Sequence, residues 1–314
     1  MGSLPRSVSR LDGYRVSRLS AILGSFLTFF LTFSPFLSAS RSFAQEKKPA
    51  PKPIKALLVT GGGYHDYDLQ KLILTEGTAA RAYIDWTIVH QGGKTSNAKI
   101  PLYAKDDWAK GYDIVIHNEC FAEAKDPKWT ERILKPHRDG IAAVVIHCTM
   151  HCYRDGTGEW FKFLGVTSHR HGSNYPIAIK NKDKTHPIMQ DFGETWNTIQ
   201  GELYWIVGLG ENCKPLAVGY NKERKAEETC IWTNQYGKGK VFGTTIGHFN
   251  AEMADPKFLD TLTRGIIWAC GKNNDEYLKP FDPTKTKFRW EEQAKKGLPK
   301  PQTKEPPKVK SPSK

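Results

Sequence analysis

Four short, almost continuously apolar runs mark the first half of the chain: Ile54–Thr60, Trp86–Val89, Ile114–His117 and Ile141–His147. Between them lie stretches with helical spacing. In Tyr67–Tyr83, Leu69, Leu72, Ile73, Ala79 and Ala80 recur at helical intervals, and a second such stretch covers Asp126–Arg138. Apolar runs too short for helices, alternating with helices, are the pattern of parallel strands covered on both faces. The predicted fold is therefore α/β, with a doubly wound, mainly parallel sheet. The runs that follow, Tyr175–Lys180, Thr198–Ile206, Pro215–Gly219, Thr229–Gln235 and Lys240–Ile246, are richer in turns and predict a partly antiparallel C-terminal part. A last helix, Pro256–Cys270, closes the domain. Asp255 is its expected N-cap, Pro256 its first residue, and Phe258, Leu259, Leu262, Ile266, Ile267 and Trp268 its apolar face. There is no internal repeat.

The ends of the chain read differently. Four arginines precede a largely apolar run, Leu19–Leu37, and Ser42-Phe43-Ala44 follows, which is the layout of a secretory signal peptide cleaved after Ala44. Residues 45–53 are a Pro/Lys-rich linker, 54–271 the α/β domain, and 272–314 a Lys/Pro-rich tail expected to be disordered. After cleavage no segment approaches spanning length. The 314 residues carry a formal charge of +13, with 46 Lys and Arg against 33 Asp and Glu. Residues 1–44 account for +4 and residues 285–314 for +7, so the globular part is nearly neutral. A nucleic-acid-binding domain would carry its positive charge on the fold, so nucleic acid is excluded as a partner. The oligomeric state is left open.

Polar, chemically capable residues collect just beyond the apolar strands, where ligands bind in a doubly wound sheet. Tyr64-His65-Asp66 follows the first strand, His117-Asn118-Glu119 the third, His147-Cys148-Thr149-Met150-His151 the fourth, and Gly247-His248 the late strand Val241–Ile246. Four segments thus bring a histidine to one expected edge. Gly201-Glu202-Leu203-Tyr204-Trp205 and Ser168-His169-Arg170-His171, the latter read as a loop, approach the same mouth. Neutral imidazoles with a carboxylate, Glu119 or Glu202, suit a divalent metal such as zinc with an open water position. The metal candidates are His65, His147 and His248. The same groups suit acid–base work on a polyhydroxylated substrate, with His147, Glu119, Glu202 and His248 as the catalytic set. Tyr64, His65, Tyr204, Trp205 and His151 form the substrate-binding set, the aromatic rings offering apolar faces to a sugar. His90, His137 and His186 lie away from these strand ends and read as structural.

Gly61-Gly62-Gly63 follows a strand but matches no phosphate-binding pattern. The six cysteines form no CxxC pair, so a zinc ribbon is not expected. Cys148 occupies the place of a nucleophile at a strand-to-helix turn, yet Ile146 and Met150 stand where such an elbow wants small residues. A packed or metal-facing thiol is the preferred reading, and a Cys148-dependent amidohydrolase an alternative.

Taken in order, Val59-Thr60-Gly61-Gly62-Gly63-Tyr64-His65-Asp66, the strand Ile141–His147 running into Cys148-Thr149, Gly201-Glu202-Leu203-Tyr204, Gly239-Lys240-Val241-Phe242 with Gly247-His248, Asp255-Pro256-Lys257-Phe258 and Gly265-Ile266-Ile267-Trp268-Ala269 resemble the ThuA-like (trehalose utilisation) domain. The likeness covers roughly residues 54–271. It implies a flavodoxin-like fold of the class I glutamine amidotransferase-like superfamily and a link to carbohydrate catabolism, notably of 3-keto sugars. The chain departs from the family's pattern in carrying His151 where many relatives have an acidic residue, and it lacks the elbow glycines that glutamine hydrolysis needs. The resulting expectation is a periplasmic or secreted bacterial protein with hydrolase or isomerase chemistry on a small carbohydrate. The alternative is a non-catalytic carbohydrate-binding or scaffold module.

Overall fold

The computed structural model describes residues 49–296. The expected signal peptide, residues 45–48 of the linker and residues 297–314 lie outside the described residues. No helix among the described residues is long and apolar enough to cross a membrane.

A nine-stranded sheet organises the chain. Strands β1 (Ile54–Gly62), β2 (Ile84–His90), β3 (Ile114–Cys120) and β4 (Ala142–Ile146) come from the first half. The second half supplies β5 (Val166–Tyr175), β6 (Ala178–Asn181), β7 (Thr195–Asn197), β8 (Gly201–Leu209), β9 (Lys214–Asn221), β10 (Ala226–Tyr236) and β11 (Gly239–Thr244). The order across the large sheet is β2-β1-β3-β4-β11-β10-β9-β6-β7. The five strands from β2 to β11 run parallel, and the remainder is antiparallel. This is a flavodoxin-like arrangement with an antiparallel extension, as the apolar pattern predicts.

Helices cover both faces. On one, α1 (Tyr67–Arg81) and α5 (Pro256–Ala269) pack Ile73, Leu259 and Ile266 against Leu58, Ile116, Val144 and Phe242. On the other, α2 (Pro127–Asp139) and α3 (Glu159–Leu164) set Ile133, Leu134 and Phe163 against Leu57, Val115, Val145 and Val241. Alternate residues of each parallel strand enter opposite layers, which is why the strands are apolar throughout. The helix starts follow their caps: Asp255 accepts from the Lys257 N–H at 2.8 Å with Pro256 at the first position, and Asp66 accepts from the Leu69 N–H at 3.2 Å.

Two expectations need correction. The segment Ser168–His171 is not a loop but part of β5, which pairs with β8 in a separate two-stranded ribbon broken by bulges. Its polar sequence hid a strand whose ladder comes from a partner some thirty residues on. The expected tail is also folded as far as residue 296. It contains α6 (Asn274–Tyr277) and α7 (Glu291–Ala294), and Trp290 is only 2% exposed. Phe288 stacks on Trp290 at 4.6 Å, Arg81 lies 3.9 Å over the Phe281 ring, and Arg289 pairs with Glu76 at 2.6 Å. Single aromatic anchors, without periodicity, fasten this segment to the domain.

Candidate functional site

At the carboxyl edge of the parallel strands lies a cavity of about 480 Å³. Tyr64, His65, Cys120, Ala122, Glu123, Cys148, His151, Arg154, His171, Glu202, Tyr204 and His248 surround it, and His147, just past the end of β4, lies against His248 and Glu202 of that lining.

The β1 turn positions Tyr64 and His65. Gly62 has φ +106°, and a side chain there would run into the Cys120 carbonyl oxygen, so the turn can lie flat against the end of β3 only with glycine. Tyr64 follows with φ +79° and its ring 80% exposed at the mouth. Asp66 then caps α1 and accepts from the Asn250 amide at 2.9 Å, tying this turn to the segment carrying His248.

His147 sits at the sharp turn out of β4, with its backbone in the left-handed region at φ +45°. It occupies the elbow position expected for Cys148. Its Nδ1 lies 2.7 Å from the Thr245 carbonyl, which can only accept, so Nδ1 carries a proton and Nε2 is turned toward His248 and Glu202. His248 is fixed through its main chain: buried Glu252 accepts from the Gly247 N–H at 2.9 Å and the His248 N–H at 2.8 Å. The nearby Gly201 must lack a side chain, because a Cβ would meet the free Glu252 oxygen. This close fit brings Glu202 to the site.

His65, His147 and His248 converge. Their nearest ring nitrogens all lie within 4.8 Å of one another, and Nε2 of His147 is 3.2 Å from Nδ1 of His248. Glu202 Oε2 is 3.0 Å from His248 Nδ1, 3.4 Å from His171 Nε2 and 3.5 Å from His147 Nε2. Burial pushes His65 down to about 2, with the neighbouring His147 and His248 adding to the effect. Burial likewise lowers His147 and takes His151 down to about 3. Burial acts to raise the Glu202 carboxyl, but hydrogen bonds and charge from His147 and His248 outweigh it and hold it well below the usual carboxylate range. The site thus sets the neutral imidazoles of His65 and His151 beside one ionised carboxylate.

This donor set fits zinc. Tetrahedral zinc–nitrogen bonds of about 2.0–2.1 Å place ligand nitrogens about 3.3 Å apart, close to the 3.2 Å between His147 and His248. The His147 ring already has the backbone acceptor that orients metal-bound imidazoles.

The other sequence-expected residues divide between the cavity and places away from it. Tyr204 and His151 face the cavity with ring centroids 5.0 Å apart, and His171 joins them at 5.4 Å from Tyr204. Trp205 does not. It follows Tyr204 on a strand and so points to the opposite side, where Arg170 lies 3.7 Å over its ring. Glu119 and His117 are also absent from the cavity. Strand β3 runs on to Cys120, three residues past the expected end, so both side chains stay inside the strand and point into the α2–α3 layer. There His117 contacts Glu119 at 3.0 Å and His137 at 3.0 Å, and the Tyr103 hydroxyl donates to Glu119 at 3.1 Å. Burial raises Glu119 to about 8 and lowers His117 and His137 to about 3, so the network is uncharged. Cys148 is no free thiol: it is bonded to Cys120, with Cα atoms 5.3 Å apart. A nucleophile would have to be freed from that disulfide, and the Cys148 amidohydrolase reading falls. Arg154 lines the cavity unforeseen, its only sequence signal being its place three residues after His151.

The model of the trehalose utilisation family, ThuA, matches residues 71–269. The chain belongs to the ThuA family. It shares its fold with a ThuA-like protein from Parabacteroides merdae ATCC 43184, at a TM-score of 0.58 and 20% identity, over 70% of this chain and 91% of that one. A ThuA-like protein from Bacteroides uniformis ATCC 8492 aligns at a TM-score of 0.54 and 13% identity, over 72% of this chain and 95% of its own. At these identities the likeness speaks for the fold alone. No curated protein matches this sequence. Membership of a family described by trehalose utilisation makes this protein carbohydrate-related.

Proposed function

We propose that this ThuA protein is exported and acts on a small sugar or 3-keto sugar as a metal-dependent hydrolase or isomerase. The observation that carries the reading is the convergence of the His65, His147 and His248 nitrogens within 4.8 Å, with the Glu202 carboxylate against them. These three histidines would hold a divalent ion such as zinc. When bound, the ion would supply Lewis-acid polarisation of a sugar oxygen and a coordinated water of lowered pKa. The protein's own groups do the rest. Glu202, ionised and within reach of the same space, takes up a proton from the reacting hydroxyl or water. His171, beside Glu202 at 3.4 Å, orients that carboxylate. The exposed Tyr64 ring offers an apolar face to a pyranose at the mouth. Half-buried His151 and buried Tyr204 close the inner wall and limit the water that enters.

The test is metal analysis of purified protein with turnover assays on a panel of glycosides and 3-keto glycosides. The expected result is about one equivalent of zinc per chain, activity lost to a chelator and restored by zinc. Metal-free protein that binds sugars without turning any over would favour a non-catalytic binding module and refute the proposal.

A further inference from the structure

Arg154 stands apart from most of the chain's other arginines. Among the described residues Arg81, Arg132, Arg138, Arg224, Arg264 and Arg289 each pair with a carboxylate. Arg170 lies over Trp205. Arg154 is held by two backbone carbonyls instead: its Nε donates to His151 at 3.1 Å and its Nη1 to His169 at 3.2 Å. Guanidinium has five N–H donors, and these two bonds leave Nη2 without a protein partner among the described residues, on a side chain that lines this cavity and the neighbouring one that contains His169. The carboxylates around the same cavity are already partnered, Glu202 by three imidazoles and Glu123 by Lys125 at 2.9 Å. Arg154 is therefore the arginine of the cavity lining, and among the described residues it makes no ion pair with a carboxylate.

We propose that the cavity takes an acidic sugar, a uronate or similar sugar acid, whose carboxylate is held by Arg154 while its ring carbons lie over the histidine cluster. A guanidinium fork matches a carboxylate in both shape and charge. A phosphate dianion suits the site less, because it would bring two negative charges to a wall with a single arginine beside Glu202 and Glu123. The anchoring carbonyls belong to His151 and His169, so the segments that bracket the cavity also set the direction of the fork. The inference rests on the proposed sugar chemistry and adds the substrate class.

The experiment is calorimetric titration of the zinc-treated full-length protein with D-glucuronate, D-galacturonate, and the methyl ester of each, which removes the charge and keeps the ring. An acid is expected to bind about tenfold or more tightly than its ester, the range of a charge-assisted hydrogen bond. Arg154→Gln should bring the acid down to the level of the ester and leave ester binding and zinc content unchanged, while Arg154→Lys should keep part of the preference. Equal binding of acid and ester by the wild type overturns the inference whatever the variants do. So does failure of both to bind at millimolar concentration. If zinc is bound and neutral glycosides are turned over without any preference for acids, the sugar-acid assignment falls and the metal-dependent reading stands. If acids are preferred by protein that binds no zinc, the sugar-acid assignment stands and the metal-dependent reading falls.

Discussion

Replacing His147 with alanine separates the residue's two roles. The substitution removes the ring whose Nδ1 donates to the Thr245 carbonyl at 2.7 Å and whose Nε2 faces His248 at 3.2 Å. Left without a donor in a buried place, that carbonyl costs about 1–3 kcal/mol. Alanine inherits the left-handed backbone at φ +45° with no relief, since only glycine would escape that penalty. In a domain of this size 1 kcal/mol moves the midpoint by roughly 2–4 °C, so in chelator the variant should melt about 2–12 °C below wild type. The second role shows in the response to metal. A ligand at a hundred times its dissociation constant stabilises the native state by about 2.7 kcal/mol. Wild-type protein should therefore gain roughly 5–10 °C on adding zinc, and His147→Ala should gain almost nothing. Differential scanning calorimetry with and without chelator, on samples whose zinc is measured, reads both effects. A variant that keeps one equivalent of zinc and the full increment would remove His147 from the ligand set. A variant that loses zinc but melts with the wild type in chelator would show that the Thr245 contact contributes nothing.

Two other outcomes follow from buried chemistry. Denatured, unreduced protein should titrate four thiols, those of Cys152, Cys213, Cys230 and Cys270. The double variant Cys120→Ser/Cys148→Ser should lose about 3.5 kcal/mol in urea denaturation, the loop entropy for a separation of 28 residues; six free thiols or an unchanged midpoint would contradict the pairing. The uncharged network on the other face sets a pH dependence. His117 and His137 are lowered to about 3, so the unfolded chain takes up protons first and stability falls as pH drops from 6.5 toward 3. Glu119 is raised to about 8, so its contribution is full below 4.5 and is lost as pH rises toward 8. Glu119→Gln should flatten the alkaline limb measured by urea denaturation between pH 5 and 8; an identical slope in variant and wild type would refute the assignment.

How far the sequence reveals this depends on which force places each residue. The parallel strands are legible because burial on both faces makes them apolar throughout, and the cavity follows from where such strands end. His65, His147 and His248 emerge from that rule because each stands beyond its strand, at a turn that tight backbone packing fixes. Glu119 and His117 escape it because their strand does not end with its apolar run. A buried polar network satisfies itself and lets β3 continue through His117, Asn118 and Glu119 to Cys120. Trp205 fails for a local reason, the two-residue alternation that turns it away from Glu202 and Tyr204. Arg154 and the folded part of the tail depend on contacts with distant backbone and with α1, which no local pattern records.

A strand-to-helix turn with a left-handed residue projects that side chain above the sheet edge, and in hydrolases of related architecture the residue is the nucleophile. Here it is His147, and the next residue, Cys148, is bonded to the end of the adjacent strand. Substituting an imidazole for a nucleophile at this place changes what the turn can do. A nucleophile needs a base behind it and an oxyanion hole in front. An imidazole held by a backbone carbonyl needs only partners that share its lone-pair direction, and His65, His248 and Glu202 are brought there by three other segments. Backbone strain persists where surrounding structure over-determines it. Of the five non-glycine residues with positive φ among the described residues, Tyr64 lines the cavity, His147 touches its lining at His248, and Tyr153 immediately precedes Arg154. The strain is concentrated around one mouth, on the segments that bring histidines to it. The elbow thus carries the residue type suited to ligand and proton chemistry, with the neighbouring thiol withdrawn into a disulfide.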